Sequence, residues 1–315
     1  MEPRVFTELI KQCALQLQFD GCGIARAQAL GVEEGYLTRW LQNGFHARMH
    51  YMAKNREKRM DPTQLLEGAK SVICLLSNYK PLLWQPLSIP QVAAFAYGLD
   101  YHVVLKSRLH ALQNAILHTW KESNPLSSSP PVMRLFTDTA PIMERAWAAR
   151  AGLGWIGKSA QLISPQFGPF TFISIILIDM ELEYDSPMEA RCGACTRCLS
   201  ACPTGALCAP YTLDASRCIS YHTIESKEPC GIDPNNYLFG CDLCLLACPW
   251  GKQAPGTTLF PPLPGLLHLT AKEWEEMSAD EFAQRFSGSA LQRAGLSKIK
   301  ETLSIFKPFY LGANR

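Results

Sequence analysis

Two stretches of the chain are hydrophobic almost without interruption, and both predict strands that are buried on two faces. The first runs from Ser71 to Ser77 and the second from Phe170 to Ile178. Gly168-Pro169 and Asp179 bound the second stretch. Short apolar runs closed by turn residues are typical of buried strands. Neither run approaches the roughly 18 apolar residues that a membrane-spanning helix requires.

Helical patterns lie between and beside these strands. Tyr101 to Trp120 predicts a long helix, and Pro141 to Arg150 predicts a shorter helix that Gly152 stops. Proline is tolerated in a first helical turn, and glycine is common just past the last one. Helices that alternate with buried strands predict a layered α/β (α+β) domain over residues 1–185.

The remainder of the chain changes in composition. A polar, proline-rich loop is predicted over residues 123–131. Residues 186–255 contain ten of the thirteen cysteines and predict a small second domain. Residues 256–315 follow a proline-rich linker and predict a short helical tail.

The overall composition limits the function. A length of 315 residues with 47% hydrophobic content is enough for two domains and a sizeable core. The formal net charge of +2 does not indicate a nucleic-acid partner, so any such binding must use a local patch. The start, Met1-Glu2-Pro3-Arg4, is not an apolar secretory segment. We therefore expect a cytoplasmic, reducing location and no contact with a membrane.

The cysteine spacing carries the strongest chemical signal. Residues 192–203 follow the pattern C-x2-C-x2-C-x3-C-P, and residues 241–249 follow C-x2-C-x3-C-P. In bacterial ferredoxins the fourth cysteine of such a run binds the other [4Fe-4S] cluster. The second half lacks its first cysteine, and Cys218 is the natural replacement. This crossing rule predicts a first group of Cys192, Cys195, Cys198 and Cys248, and a second group of Cys202, Cys218, Cys241 and Cys244.

Other interpretations of these cysteines are weaker. Disulfides are not expected in a reducing compartment. Paired C-x2-C motifs also suit zinc, but two runs that end in x3-C-P fit four-iron clusters better. Cys208 and Cys230 lie off the pattern, and Cys230 competes with Cys218 as a ligand.

The segment Gly152–Lys158 superficially resembles a phosphate-binding loop. It lacks the Walker spacing and follows a predicted helix where a phosphate loop would precede one. We interpret it as a helix stop and a turn.

Six blocks of the sequence, in consistent order over roughly residues 1–255, together resemble one family, the epoxyqueuosine reductases. The blocks are Ala96–His102, Thr137–Arg145, Ala151–Lys158, the cysteine run at 192–203, Arg217–Glu225 and Gly240–Trp250. The resemblance implies an oxidoreductase that reduces epoxyqueuosine to queuosine at the wobble position of tRNA, the last step of queuosine biosynthesis.

The resemblance also implies cofactors, partners and an architecture. Residues 1–185 would bind cobalamin, residues 186–255 would be the ferredoxin-like domain with two [4Fe-4S] clusters, and residues 256–315 would be the helical tail, with no room for the HEAT-like repeats of many members. An external electron donor would feed the clusters, and the substrate would be a tRNA with a GUN anticodon that carries epoxyqueuosine. We expect a monomer.

By the same resemblance, Asp138 is the proton donor. Converting an epoxide to an alkene takes two electrons and two protons, and a positioned acid typically contributes about 10²–10⁴-fold. Burial beside an apolar macrocycle would raise the pKa of Asp138. The residues alone favour a different interpretation, in which Asp138 before Thr139-Ala140-Pro141 is a helix N-terminal residue, and the resemblance reverses that balance.

Further residues are candidates for contact with cofactor or RNA. Arg59, Tyr101, Lys158 and Ser220 are cobalamin candidates by resemblance, although Arg59 lies in a basic cluster that would ordinarily be solvated and Tyr101 begins a predicted helix. His102 is not expected to bind cobalt. Basic side chains that could hold tRNA phosphates are Arg48, Lys54, Arg56, Arg191, Arg197, Arg217 and Lys227.

Two rival functions use the same features. A corrinoid reductase of a small organic substrate, similar to a dehalogenase, would normally carry a twin-arginine export signal, which the sequence lacks. An electron carrier would not need the large α/β domain. The sequence therefore favours the tRNA-modifying reductase.

Overall fold

The computed structural model describes residues 2–125 and 129–306, so the prediction for the loop at 123–131 and for the end of the tail lies partly outside the described residues. The strands are β1 (Gly21–Arg26), β2 (Ser71–Asn78), β3 (Gln91–Val92), β4 (Met133–Phe136), β5 (Trp155–Ile156), β6 (Leu162–Ile163), β7 (Thr171–Ile178), β8 (Leu207–Ala209), β9 (Thr212–Leu213) and β10 (Tyr237–Phe239). The α-helices are α1 (Pro3–Gln16), α2 (Gly31–Gln42), α3 (Arg56–Met60), α4 (Tyr101–Ser123), α5 (Glu144–Arg150), α6 (Arg197–Ser200), α7 (Leu243–Leu246), α8 (Pro249–Gln253), α9 (Ala271–Glu276), α10 (Ala279–Arg285) and α11 (Gly295–Ser304).

A four-stranded sheet with the order β1-β2-β7-β4 forms the centre, and its three strand pairs are antiparallel. The two apolar runs are its central strands, and Ser71 lies opposite Ile178. Alternate side chains of β2 enter two different cores: Ile73 lies in one and Val72 in the other. A strand covered on both faces reads as a continuous apolar run. The predicted strands are confirmed.

Helices cover both faces of this sheet. α1 and α4 pack on one face, and α2, α3 and α5 pack on the other. The long helix predicted from Tyr101 is confirmed, and its buried residues recur at helical spacing: Tyr101, Leu105, Leu109, Leu112, Ile116 and Trp120. Asp100 caps this helix by accepting a hydrogen bond from the backbone N–H of His102 at 3.0 Å. The predicted mixed α and β fold is confirmed, in an antiparallel α+β arrangement.

The helix predicted from Pro141 begins instead at Glu144. Ile142 is buried, and its N–H bonds to the carbonyl of Ala140 at 2.8 Å in a tight turn. This turn keeps the chain out of helical geometry until Met143. The predicted stop is confirmed, because α5 ends at Arg150 and Gly152 follows with a φ of +72°.

The C-terminal segment is helical as predicted, but it lies within the main core. Trp274 on α9 stacks on Phe286 with ring centroids 5.3 Å apart, and both side chains are buried. Ile299 on α11 is buried in the same core, on the α1 and α4 face of the sheet. The segment is therefore part of the domain's interior.

The cysteine-rich segment packs against the sheet domain through several direct contacts. β10 pairs with β3 in parallel. The indole of Trp40 donates a hydrogen bond to the carbonyl of Leu213 at 2.7 Å, and buried Asp242 accepts one from the N–H of Ala94 at 2.6 Å. Within the described residues, no helix is both long enough and apolar enough to cross a bilayer.

Candidate active site

Asp138 lies just beyond β4, at the end of the central sheet. Thr137 before it is buried, and its hydroxyl lies 3.1 Å from that of Ser174 on β7. Asp138 itself has a φ of +51°, a left-handed conformation that is uncommon for residues other than glycine. The alternative interpretation of Asp138 as a helix N-terminal residue is wrong, because α5 begins six residues later.

The carboxylate of Asp138 meets the start of α4. The hydroxyl of Tyr101 donates a hydrogen bond to Oδ2 of Asp138, and Nε2 of His102 lies 3.7 Å from the same oxygen. Burial, together with the charge of Asp138, raises the pKa of Tyr101, so the phenol stays protonated and donates. The ring of Tyr101 stacks on Phe172 with centroids 4.3 Å apart, which fixes its orientation. The Asp138 side chain is 58% exposed, so the protein alone does not supply the burial expected for it.

Arg293 and Asp100, which the sequence did not single out, help to hold Tyr101 in place. Arg293, from the C-terminal segment, donates hydrogen bonds to both carboxylate oxygens of Asp100 at 2.8 and 2.9 Å. It also donates to the Tyr101 hydroxyl and lies over that ring at 5.4 Å. Asp100 was part of a resembling block but was assigned no role, and Arg293 lies outside every block, so no sequence signal marks their partnership.

A second set of side chains converges on Tyr51. Burial raises the pKa of Tyr51, and with the added effect of the charges of Glu225 and Asp138 the pKa reaches about 12. The charge of Arg59 acts in the opposite direction and is outweighed. Arg59 is buried and donates to the carbonyl of Tyr51 at 3.1 Å, so its interpretation as a solvated residue is wrong. Its Nε atom is buried and has no hydrogen-bond partner among the described residues. Tyr51 was missed in the sequence, and Glu225 was part of a resembling block but was assigned no role.

Glu144, the first residue of α5, also borders Asp138. Its Oε1 accepts a hydrogen bond from the backbone N–H of Asp138 at 2.6 Å. Burial, and then the charge of Asp138, raise the pKa of Glu144 to about 8. Glu144 was part of a resembling block, but the sequence assigned it no role.

The other two predicted cofactor contacts lie beside the cysteines. Ser220 hydrogen-bonds through its side chain and its N–H to the sulfur of Cys218, and the π-helical turn Tyr221–Glu225 follows it. Nζ of Lys158 donates to the carbonyl of Gly193 at 2.6 Å. The structure thus brings Arg59, Tyr101 and Asp138 together and places Ser220 and Lys158 next to the two cysteine groups. The cobalamin contact of each residue stays a prediction.

The structure separates the eight predicted ligand cysteines into the two expected groups. Cys248 interacts electrostatically with Cys192 and Cys195, and Cys198 interacts with Cys192 and Cys248. In the second group, Cys244 interacts with Cys202, Cys218 and Cys241. Each group therefore combines a cysteine of one run with cysteines of the other, which is the crossed arrangement.

The surroundings of these sulfurs suit thiolates bound to iron. Burial alone would raise the pKa of Cys202, but hydrogen bonds from the backbone N–H groups of Leu207, Ala206 and Thr204 and from the Thr204 hydroxyl lower it. Burial raises the pKa of Cys241 to about 12, and bound iron would offset this. Among the described residues, no three His, Cys, Asp or Glu side chains are placed to hold a single ion.

Cys230, the rival of Cys218, lies elsewhere. It is buried, and its N–H donates to the carboxylate of Glu301 at 2.9 Å. Its thiol donates to the carbonyl of Ile232 at 3.4 Å, and the charges of Lys298, Glu301 and Asp233 act on it. The geometry therefore favours Cys218.

Two of the basic residues considered for RNA are paired with carboxylates, and the others are exposed. Arg48 and Arg56 form ion pairs with Glu228 and Glu34, respectively. Exposed side chains around the cysteine-rich segment are Arg191, Arg197, Arg217 and Lys227, and Lys54 is exposed on the sheet domain.

Comparisons with known proteins agree with these observations. Residues 191–251 match the family model of a 4Fe-4S double cluster binding domain, and residues 59–139 match that of epoxyqueuosine reductase QueG, DUF1730. An epoxyqueuosine reductase from Cellulophaga algicola is 40% identical, over 96% of this chain and 98% of that protein.

Solved structures show the same similarity. An epoxyqueuosine reductase with a tRNA-Tyr epoxyqueuosine-modified stem loop has a TM-score of 0.85 at 27% identity, covering 97% of this chain and 82% of that chain. The Bacillus subtilis epoxyqueuosine reductase, with its catalytic aspartate loop swung out of the active site, has a TM-score of 0.83 at 27% identity and the same coverage. Because relatives match over nearly its whole length, this chain belongs to the epoxyqueuosine reductase family of oxidoreductases, and it carries a double [4Fe-4S] cluster domain.

Proposed function

We propose that this chain reduces epoxyqueuosine to queuosine at the wobble position of a GUN-anticodon tRNA. Family membership supports the reaction, and the relative crystallised with an epoxyqueuosine-modified tRNA stem loop supports the substrate. The balanced reaction takes two electrons and two protons, leaves an alkene, and releases the epoxide oxygen as water.

The electrons would enter through the cysteine-rich segment. The first group, Cys192, Cys195, Cys198 and Cys248, would hold one [4Fe-4S] cluster, and the second group, Cys202, Cys218, Cys241 and Cys244, would hold the other. Each cluster carries one electron at a time, so two clusters match the need for two electrons. An external donor of reducing equivalents would supply them.

Cobalamin is the cofactor that the family implies, and the residues present fit it. When bound, it supplies a reducible cobalt centre that delivers electrons to the epoxide. Arg59 presents a buried Nε with no partner among the described residues, which suits the polar amide groups at the edge of a corrin. We propose that Arg59, Tyr101, Asp138, Lys158 and Ser220 hold this cofactor.

The proton would come from Asp138. Tyr101 donates to Oδ2 of Asp138, which leaves Oδ1 to carry the proton for the departing epoxide oxygen. An unprotonated oxygen is a poor leaving group, so a positioned acid accelerates its departure. Arg293 and Asp100 keep Tyr101 in place for this contact.

One observation carries this proposal. Tyr51 interacts at once with Asp138, with Arg59 and with Glu225, which lies seven positions after Cys218. Arg59 also donates to the Tyr51 carbonyl at 3.1 Å, so the acid, the cofactor candidate and the segment that follows a cluster ligand all act on the same tyrosine. Electrons and protons can then reach the same substrate.

The test is anaerobic reconstitution with iron, sulfide and cobalamin, followed by incubation with epoxyqueuosine-containing tRNA and a strong reductant. Nucleosides are then analysed by mass spectrometry, with a matched reaction that lacks cobalamin. Cobalamin-dependent loss of one oxygen from the wobble nucleoside is the expected result. Cobalamin binding with unchanged tRNA would indicate a corrinoid reductase of another substrate, and binding of iron alone would indicate an electron carrier.

A further inference from the structure

The loop that carries Asp138 is attached firmly at both ends. Thr137 is buried, and its hydroxyl contacts Ser174 on the central strand β7. At the other end, α5 packs on the sheet through Ala146, Trp147 and Ala148, which are all buried. We call residues 138–143, between these two anchors, the Asp138 loop.

Asp138 needs a specific restraint within this loop. Its φ of +51° is a strained conformation for a residue other than glycine and persists only when neighbours enforce it. Tyr101 binds the carboxylate end of Asp138, but a bond to the side chain leaves the backbone free to rotate. A second contact must therefore act on the backbone.

Glu144 makes that contact. Its Oε1 accepts a hydrogen bond from the Asp138 N–H at 2.6 Å, across the loop. Since Glu144 is the first residue of α5, its backbone is held by the packed helix, and the acceptor is anchored to the sheet. The contact thus ties the backbone of Asp138 to a rigid element.

We propose that Glu144 is a positioning residue for the reaction, which holds the backbone of Asp138 so that its carboxyl faces the substrate. This inference rests on the proposed function for the identity of the reaction. The role belongs to the acceptor oxygen of Glu144, and Glu144 does not itself transfer a proton to the substrate.

Two substitutions distinguish the hydrogen-bond acceptor of Glu144 from its ionisable group. Glu144→Gln keeps an oxygen that can accept from the Asp138 N–H but removes the ionisable group, whereas Glu144→Leu removes the acceptor. Removal of the acceptor leaves the Asp138 N–H without its partner, so Glu144→Leu should lower kcat by about 10- to 100-fold. KM for tRNA and the iron content should stay within about twofold of wild type, since the contact that is removed acts on the backbone of Asp138. Glu144→Gln should retain most of kcat. Glu67→Leu, which removes an exposed carboxylate in a different loop, is the matched control.

A second readout does not depend on turnover. Hydrogen–deuterium exchange of the peptide containing Asp138 is followed in the cluster-loaded protein. The Asp138 amide should be protected from exchange in wild type and in Glu144→Gln. In Glu144→Leu it should exchange about tenfold faster or more. Wild-type protection in Glu144→Leu would overturn the proposal. A protected but inactive Glu144→Gln would also overturn it, because the acid would then be the essential group. If the wild type converted no epoxyqueuosine, the proposed function would be wrong. The exchange rates would still show whether Glu144 holds the backbone of Asp138.

Discussion

The guanidinium of Arg293 donates hydrogen bonds to both carboxylate oxygens of Asp100, at 2.8 and 2.9 Å. This contact joins the C-terminal segment to the N-cap of α4, immediately before Tyr101. Because Arg293 also donates to the Tyr101 hydroxyl, the C-terminal helices help to orient the phenol that binds Asp138.

Replacing Arg293 with methionine should therefore weaken catalysis more than folding. The pair is partly solvated, so its loss should destabilise the chain by only about 1 kcal/mol. We expect kcat to fall roughly tenfold because Tyr101 loses a fixed donor, which corresponds to 1.4 kcal/mol of transition-state stabilisation. Steady-state kinetics and urea unfolding measure the two effects. An unchanged kcat with a large loss of stability would contradict the role in orienting Tyr101.

Asp100 should make stability depend on pH in the acid range. Burial alone would raise the pKa of Asp100, but hydrogen bonds from Arg293 and His102 outweigh burial and lower it. A lowered folded-state pKa stabilises the chain above the unfolded value of about 3.9, and this stabilisation is lost as the pH falls through the folded value. Asp100→Asn keeps the cap but loses the charge, so its urea midpoint should lie below that of wild type by a constant amount from pH 8 to pH 5. That gap should close below about pH 4. A gap that widens in acid would be inconsistent with this sign.

Asp138→Asn should abolish turnover while leaving the protein loaded. The amide can still accept the hydrogen bond from Tyr101, but it cannot deliver a proton to the leaving oxygen. We expect kcat to fall by about 10²–10⁴-fold. Iron, sulfide and cobalamin contents should match those of wild type, and nucleoside mass spectrometry should show unreacted epoxyqueuosine. A fully active Asp138→Asn variant would show that the proton comes from another group.

Cys218 and Cys230 offer a matched pair for the second cluster. Cys218→Ser should lose one cluster, so that iron falls from about eight to about four atoms per chain. Cys230→Ser should keep both clusters, because the N–H and the thiol of Cys230 bond to the Glu301 carboxylate and to the Ile232 carbonyl. Iron and sulfide analysis with electron paramagnetic resonance of the reduced protein distinguishes the variants. Loss of a cluster in Cys230→Ser alone would reverse the ligand assignment.

Gly168 is expected to tolerate no side chain, because it approaches the segment that follows Cys248. Its φ is +59°, and a Cβ there would lie 2.7 Å from the backbone of Gly251 and from the Trp250 carbonyl. Backbone atoms cannot move aside, so Gly168→Ala should cost about 1–3 kcal/mol. Gly68→Ala is the control, since Gly68 has a φ of +74° with no atom within 4 Å of an added Cβ. In thermal unfolding, Gly168→Ala should lower the melting temperature more than Gly68→Ala does. Equal decreases would show that the positive φ alone, without the close contact, destabilises both variants.

Local chemistry made much of the site predictable. The cysteine spacing predicted two crossed groups because the C-x2-C steps mark each run and the last cysteine of each run serves the other group, and the structure brings those cysteines together. Tyr101 and Asp138 were both candidates, yet their direct contact joins positions 37 residues apart. Periodicity describes neighbours along one element, and so it carries no information about such a pairing.

The sequence by itself determined the buried strands, the long helix α4, the cysteine groups and the family resemblance, because each of these depends on residues close together in the chain. Tertiary structure alone decided that Arg293 reaches Asp100, that Glu144 holds the backbone of Asp138, and that buried Arg59 faces Tyr51. It also decided that the C-terminal helices complete the core. These contacts arise when packed elements bring distant segments together, and the free energy of that packing is a property of the whole chain.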